Sequence, residues 1–339
     1  AINFLHASCF SPCISTWCAA IDKGFFSIWP GLTSARVREY IASTPMATAK
    51  GHMVQEKQHK RSTKQHVACN THQNKENLAY VKIAEINKDT TKLYSDPTGR
   101  FPQRSNRGNQ YLFILYDSQS NYIFAEPMIN RHSSSIIKAY AIKKKPDKAK
   151  IKPDLHVLDN EASEEYKETL LQSYDIQFVP PNFHRRNATE RAIRTFKAHF
   201  IAGLASTHPK FPLTLWDRLV QQAEYTLNMM RQSNINRKIS AYEQVNGKFD
   251  YNKTPMALPG SLALVHSKPA QRKTWDPRGH NTWYIGPAMH HYRCMKFYSH
   301  TTNRELISDT CELYPTALTT PHWTTLHAIL DNIFQINKH

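Results

Sequence analysis

Asp96, Asp159 and Glu190 are three carboxylates placed where a chain can gather distant acidic side chains at one point. Asp96 ends the β-prone run through Leu93 and Tyr94, Asp159 ends a second run through Val157 and Leu158, and Glu190 opens a basic helical segment. Carboxylates brought together in this way repel one another unless a divalent cation neutralises them. Two such cations about 3.5–4 Å apart clamp the attacking and leaving oxygens of a phosphate displacement, so the chemistry to expect is metal-assisted phosphoryl transfer. With 27 acidic residues in the chain a loose triad is weak evidence alone, and its placement at element ends is what strengthens it.

On the segment that Glu190 opens, Arg194 and Lys197 follow at i+4 and i+7, so the three share one helix face. A metal-binding carboxylate then neighbours two phosphate-binding cations. Taken by itself, this spacing favours an ordinary intrahelical salt bridge on a solvated face, and both readings stay open. Arg185, Arg186 and Arg191 crowd the same end, and so many like charges stabilise no isolated helix; a nucleic-acid backbone accounts for them.

The whole chain agrees with that partner. Its 339 residues carry a formal net charge of +17, and each phosphate neutralised by Lys or Arg releases counterions, which favours binding to DNA. The length allows two or three domains, and a 40% hydrophobic content can bury a core. No run of about 20 apolar residues occurs, so no membrane-spanning helix is expected. The start is mildly apolar, lacks a basic leader and begins at Ala1 rather than Met, which reads as a piece of a longer reading frame or polyprotein, not as a signal peptide.

The cysteines form no CxxC pair, which argues against a disulfide framework or a zinc ribbon. Two looser groups remain, His6 with Cys9, Cys13 and Cys18, and His52 with His59, His66, Cys69 and His72. The second could supply four zinc ligands, although solvated histidines are common in basic polar segments.

Stepping along the chain, residues 52–75 are polar and basic and read as a linker or DNA-contacting arm. Short β-prone runs follow at 92–95, 110–116 and 122–128, with 117–121 as a hairpin turn, which opens as an antiparallel meander. A helix is expected over 133–144, a charged loop over 143–152, a strand over 155–158, a helix over 162–174 and a buried strand over 176–179. Three strands, helix, strand, helix, strand and then helices is the element order of a ribonuclease H-like domain, an α/β core on a mixed five-stranded sheet. Helices are expected over 187–206 and 213–232, the second with an apolar stripe of Trp216, Leu219, Val220, Ala223, Leu227 and Met230. After residues 255–260, runs at 261–266, 282–285 and 294–298 predict a small β-barrel. There Trp275, Trp283, Tyr284, Tyr292 and Tyr298 interleave with Arg272, Lys273, Arg278, Arg293 and Lys296, a mixture that suits either a barrel core with a cationic rim or DNA stacking. The resulting division is an amino-terminal region over 1–88, partly irregular and basic, a catalytic core over 89–250, a β-rich domain over 251–317 and a tail over 318–339.

The blocks Tyr94-Ser95-Asp96, His156-Val157-Leu158-Asp159-Asn160 and Asn187-Ala188-Thr189-Glu190-Arg191 resemble those carrying the Asp, Asp and Glu of retrotransposon and retroviral integrases. The stretch from His184 to Phe200 is similar to LTR-retroelement Pol polyproteins, and so are Trp283-Tyr284-Ile285-Gly286-Pro287 and His291-Tyr292-Arg293-Cys294 beyond the core. The resemblance implies trimming of element DNA ends and strand transfer into target DNA. It further implies Mg²⁺ (or Mn²⁺) on Asp96, Asp159 and Glu190, DNA contacts by Arg194 and Lys197, a homo-multimer and a nuclear location. Two departures stand out: Glu161 where many integrases have Gly after the second Asp-Asn pair, and Ala188 where they have a flexible Gly before the Glu block. The HH-CC zinc signature is also missing. A ribonuclease H-like nuclease and an inactive DNA-binding remnant of an element are the competing functions.

Overall fold

The structure is a computed structural model that describes residues 1–53, 92–144, 155–158, 163–171, 175–178, 188–267 and 272–315. The first β-prone runs form β1 (Lys92–Pro97), β2 (Tyr111–Asp117) and β3 (Ile123–Met128), paired antiparallel as a meander. Asp117 closes the hairpin by accepting the backbone N–H groups of Gln119 at 3.0 Å and Ser120 at 3.1 Å. Asn121 leaves it with φ of 60°, a left-handed conformation that Asn tolerates better than most residues.

Next come α5 (Ser133–Lys144), β4 (Leu155–Leu158), α6 (Glu164–Leu171) and β5 (Asp175–Phe178), numbered after four amino-terminal helices. The sheet order is β3-β2-β1-β4-β5, with β4 parallel to both β1 and β5, so the sheet is mixed and five-stranded and the architecture is α/β. Contrary to expectation, the strand near residue 176 is mostly exposed and not buried, because among the described residues it is the last in the order and has a neighbour on one side only.

Helix α7 (Ala188–Ala205) lies on the sheet with Ala192, Phe196, His199 and Phe200 buried. The single helix expected over 213–232 is instead a 3₁₀ turn (Leu213–Arg218) followed by α8 (Val220–Met230). Hydrogen bonds to the β1–β2 connection hold that turn. The buried Asp217 carboxylate accepts from Ser105 Oγ (2.9 Å), Arg107 Nε (2.8 Å) and Asn109 Nδ2 (2.7 Å), and Trp216 Nε1 donates to the Gln103 carbonyl (2.8 Å). The predicted apolar stripe of this segment is buried throughout.

Polar residues of α8 do a second job. Asn228 accepts from the Ile123 N–H (2.9 Å) and donates to the Ile123 carbonyl (2.8 Å), and Glu224 accepts from the Ala125 N–H (2.9 Å). Side chains thus satisfy part of the β3 edge that a further strand would otherwise occupy. Lys143 at the end of α5 donates to the same Glu224 at 2.8 Å, tying the two helices together.

Residues 1–53, in which no element was expected, carry α1 (Ile2–Ser8), α2 (Ile14–Asp22), α3 (Ser34–Tyr40) and α4 (Met46–His52). These helices are too short to show a strong period; what stabilises them is packing. Trp17, Phe26 and Trp29 join Tyr122, Met229 and Tyr242 in one core, the last from α9 (Ala241–Asn246). Against α7, α4 packs so closely that a Cβ on Gly51 would come within 2.5 Å of the Ala198 carbonyl.

The remaining strands are β6 (Leu262–His266), β7 (Gly279–Pro287), β8 (Met295–Ser299), β9 (Arg304–Ser308) and β10 (Cys311–Tyr314). They form an antiparallel sheet in the order β10-β6-β7-β8-β9. No pairing joins β9 to β10 among the described residues, so the expected barrel is not closed. A register shift between Tyr284 and Gly286, with Gly286 at φ of 143°, bends β7. Trp283, Tyr284 and Tyr298 are core residues, whereas Trp275 is 96% exposed. No helix among the described residues is long and apolar enough to cross a membrane.

A Cβ at Gly203 would meet the fully buried Phe10 ring at 1.8 Å, so Gly203→Ala should cost about 1–3 kcal/mol in a urea titration. Burial also holds three histidines neutral, lowering His6 to about 4 and His156 and His199 to about 3 from the ordinary 6.5. The unfolded chain protonates these residues first, so the stability they contribute is complete above pH 6.5 and drains away as pH falls from there towards 3. At pH 5 each has lost about 2 kcal/mol by this linkage. His199→Gln should flatten the fall of the urea midpoint between pH 7 and pH 5.

Candidate active site

Asp96 lies in β1 opposite Ile114 of β2, and two residues earlier Tyr94 lies opposite Val157 of β4. Strand alternation sorts the side chains. Leu93 and Ser95 are buried on the face towards α5 and α6, while Lys92, Tyr94 and Asp96 are half-buried on the other. That second face is the one α7 covers, since Ile114, the partner of Asp96, packs in one core with Ala192, Phe196 and Phe200. Asp96 thus occupies the central strand on the side of the helix that bears Glu190.

Glu190 is exposed in the first turn of α7, where the partial positive charge of the helix end favours a carboxylate. Its residue type therefore suits the helix as well as a site. The buried stripe of α7 leaves Glu190, Arg194 and Lys197 exposed on the shared face that the spacing implied, and Arg191 is exposed as well. Among the described residues no ion pair links Glu190 to Arg194 or Lys197, so the ordinary salt-bridge reading of this face finds no support. Ala188, which stands in place of a flexible glycine, is the first residue of the helix.

Asp159, Arg185 and Arg186 lie outside the described residues, as do Glu161 and the zinc candidates His59, His66, Cys69 and His72. Among the described residues no group of three or more His, Cys, Asp or Glu could hold a metal ion. In the amino-terminal group, His6 Nε2 instead bonds the Pro12 carbonyl at 2.9 Å, and Cys9 and Cys18 are buried, with burial pushing both thiols up. The donors that Asp96 and Glu190 present are carboxylate oxygens, which fit a hard divalent cation and not a thiolate-loving one.

Three buried side chains on the face of the sheet away from Asp96 were given no role by sequence. Ser95 Oγ is hydrogen-bonded to His156 Nε2 at 2.8 Å and to the Tyr166 hydroxyl at 2.9 Å, all three residues being buried. The rings of Tyr140 and Phe113 enclose them, with Tyr140 5.8 Å from His156 and Phe113 edge-on to Tyr166 at 6.4 Å. The trace they leave in the sequence is a serine and a histidine at buried positions of β1 and β4.

Two clefts flank this region. One, of about 730 Å³, is lined by Arg194, Thr195, His52, Cys13 and Arg231 beside the cationic face of α7. The other, of about 480 Å³, lies between β3, α5 and the second sheet and contains none of the candidate acidic residues.

No family model and no curated protein matches this chain. Among solved structures it is similar to a chain in the cryo-EM structure of the simian T-cell lymphotropic virus intasome in complex with PP2A regulatory subunit B56 gamma. That match has 13% identity and a TM-score of 0.32 over 66% of this chain and 81% of that one. It is also similar to the catalytic core domain of BIV integrase, at 12% identity and a TM-score of 0.34 over 45% of this chain and 92% of that one. Superpositions this loose record a likeness and carry no functional conclusion.

Proposed function

We propose that this chain is an integrase-type polynucleotidyl transferase of LTR-retrotransposon origin, built on a ribonuclease H-like core. It would trim the 3′ ends of element DNA and join them to target DNA. The observation that carries the reading is Asp96 on the central strand of a mixed sheet, on the face covered by the helix whose first turn bears Glu190. Asp159, which follows the last residue of the strand parallel to β1, would complete the acidic set.

Asp96, Asp159 and Glu190 would hold Mg²⁺ or Mn²⁺, which when bound supplies Lewis acidity at the phosphate. The chain itself has the task of positioning. The buried stripe of α7 directs Glu190, Arg194 and Lys197 outwards on one face, so that a DNA backbone held by the two cations, with Arg191 and the preceding Arg185 and Arg186, runs past the carboxylate. Joining two DNA ends calls for more than one copy of the chain, so we infer a homo-multimer, working in the nucleus where target DNA resides.

On a labelled duplex with Mg²⁺ or Mn²⁺, wild-type protein should give strand-transfer products, and Asp96→Asn or Glu190→Gln should lower the rate at least a hundredfold. Hydrolysis without joining would instead identify a nuclease, and salt-dependent binding with neither reaction an inactive remnant. Arg194→Ala and Lys197→Ala should each reduce the slope of log affinity against log salt by about 1, read by fluorescence anisotropy.

A further inference from the structure

The buried cluster on Ser95 ties together the elements that flank the acidic residues. His156 pairs across the ladder with Leu93, yet its Nε2 reaches Ser95, two positions further along β1, at 2.8 Å. This diagonal bond exists in one register only. A slip of one residue would turn Ser95 to the opposite face of the sheet and remove it. Tyr166 then reaches the same Ser95 oxygen from α6 at 2.9 Å. In chain order His156 precedes Asp159 and Tyr166 follows it, while Ser95 is the residue before Asp96. One hydroxyl therefore anchors β1 next to Asp96 and ties it to β4 through His156 and to α6 through Tyr166.

A merely apolar core would pack these strands with less directional constraint, since hydrophobic contacts tolerate small slides and hydrogen bonds do not. A constellation that binds a cation must be held within about 0.5 Å of its productive geometry by residues whose own positions are locked. On these grounds, and resting on the function proposed above, we propose that Ser95, His156 and Tyr166 are positioning residues: their shared hydrogen bonds fix β1 beside Asp96 so that its carboxylate takes up a divalent cation. They touch neither DNA nor metal, and Tyr166 and His156 act through Ser95 and the strand ends.

The test uses the full chain and three measurements: Mn²⁺ binding from the electron paramagnetic resonance signal of the free ion, single-turnover strand transfer, and melting temperature. Tyr166→Phe removes one oxygen and keeps the ring in its aromatic enclosure. Together with Ser95→Ala it should raise the half-saturating Mn²⁺ concentration roughly tenfold or more, the usual scale for residues behind a metal ligand. The strand-transfer rate should fall at low Mn²⁺ and recover at saturating Mn²⁺, and Ser95→Thr, which keeps the hydroxyl, should restore most of the affinity. If Tyr166→Phe and Ser95→Ala bind Mn²⁺ and join DNA like an active wild type, the cluster is core packing and this proposal is overturned. If wild type and Asp96→Asn bind Mn²⁺ equally poorly and neither joins DNA, the proposed function fails and takes this inference with it. Should Tyr166→Phe melt too early to assay, Ser95→Thr against Ser95→Ala still decides the matter, because the pair differs in whether the hydroxyl is present.

Discussion

Helix α7 packs against the central strands β1 and β2 of the sheet and against α4 and α8. Its buried stripe, from Ala192 through Phe196 and Phe200, joins β2 residues Leu112 and Ile114 in one core, and its opposite flank receives α4 at glycine-close range. A helix held on both sides cannot roll. With its rotation settled, the side chains that remain outside are settled as well, and these are Glu190, Arg191, Arg194 and Lys197. His199 completes the burial without leaving a polar orphan: Thr226 donates to the Gln222 carbonyl at 2.9 Å and accepts from His199 Nε2 at 3.0 Å.

The same economy appears at the sheet edges. Glu224 and Asn228 of α8 occupy backbone groups of β3, and Lys143 neutralises Glu224 in a setting where an unpaired charge would cost several kcal/mol. On the far side of the sheet the polar cluster of Ser95, His156 and Tyr166 is fully enclosed. Buried polar groups of this kind add little net stability, but they discriminate strongly between registers, because a misplaced partner is left unsatisfied in a medium that cannot solvate it. The sheet that carries Asp96 is specified in this way on one edge and at its centre.

Much of this was readable from residue types. The meander over 92–128, the helix over 133–144 and the strand at 155–158 follow from apolar alternation and turn chemistry, and the stripe from Trp216 to Met230 predicts its own burial. The failures have particular causes. The four amino-terminal helices are short and stabilised by Trp17, Phe26 and Trp29 meeting residues some 200 positions away, which no local period encodes. The helix expected over 213–232 breaks because Asp217 is bonded to Ser105, Arg107 and Asn109, partners set by the path of a distant loop. The barrel stays open because, among the described residues, β9 and β10 at the two ends of the strand order do not pair.

For the candidate site the division is similar. The sequence by itself determined the chemistry on offer: carboxylates at element ends, a cationic helix face at i, i+4 and i+7, and a strong positive charge, all of which are properties of residue identity and spacing. Only the tertiary structure decided that Asp96 and the helix bearing Glu190 occupy the same side of the sheet, and that Ser95, His156 and Tyr166 share one bonded oxygen beside it. The physical reason is that side-chain type and local period fix what a residue can do and which face it takes. The partner it meets depends on which elements pack together, and that is set by burial and hydrogen bonding summed over the whole chain.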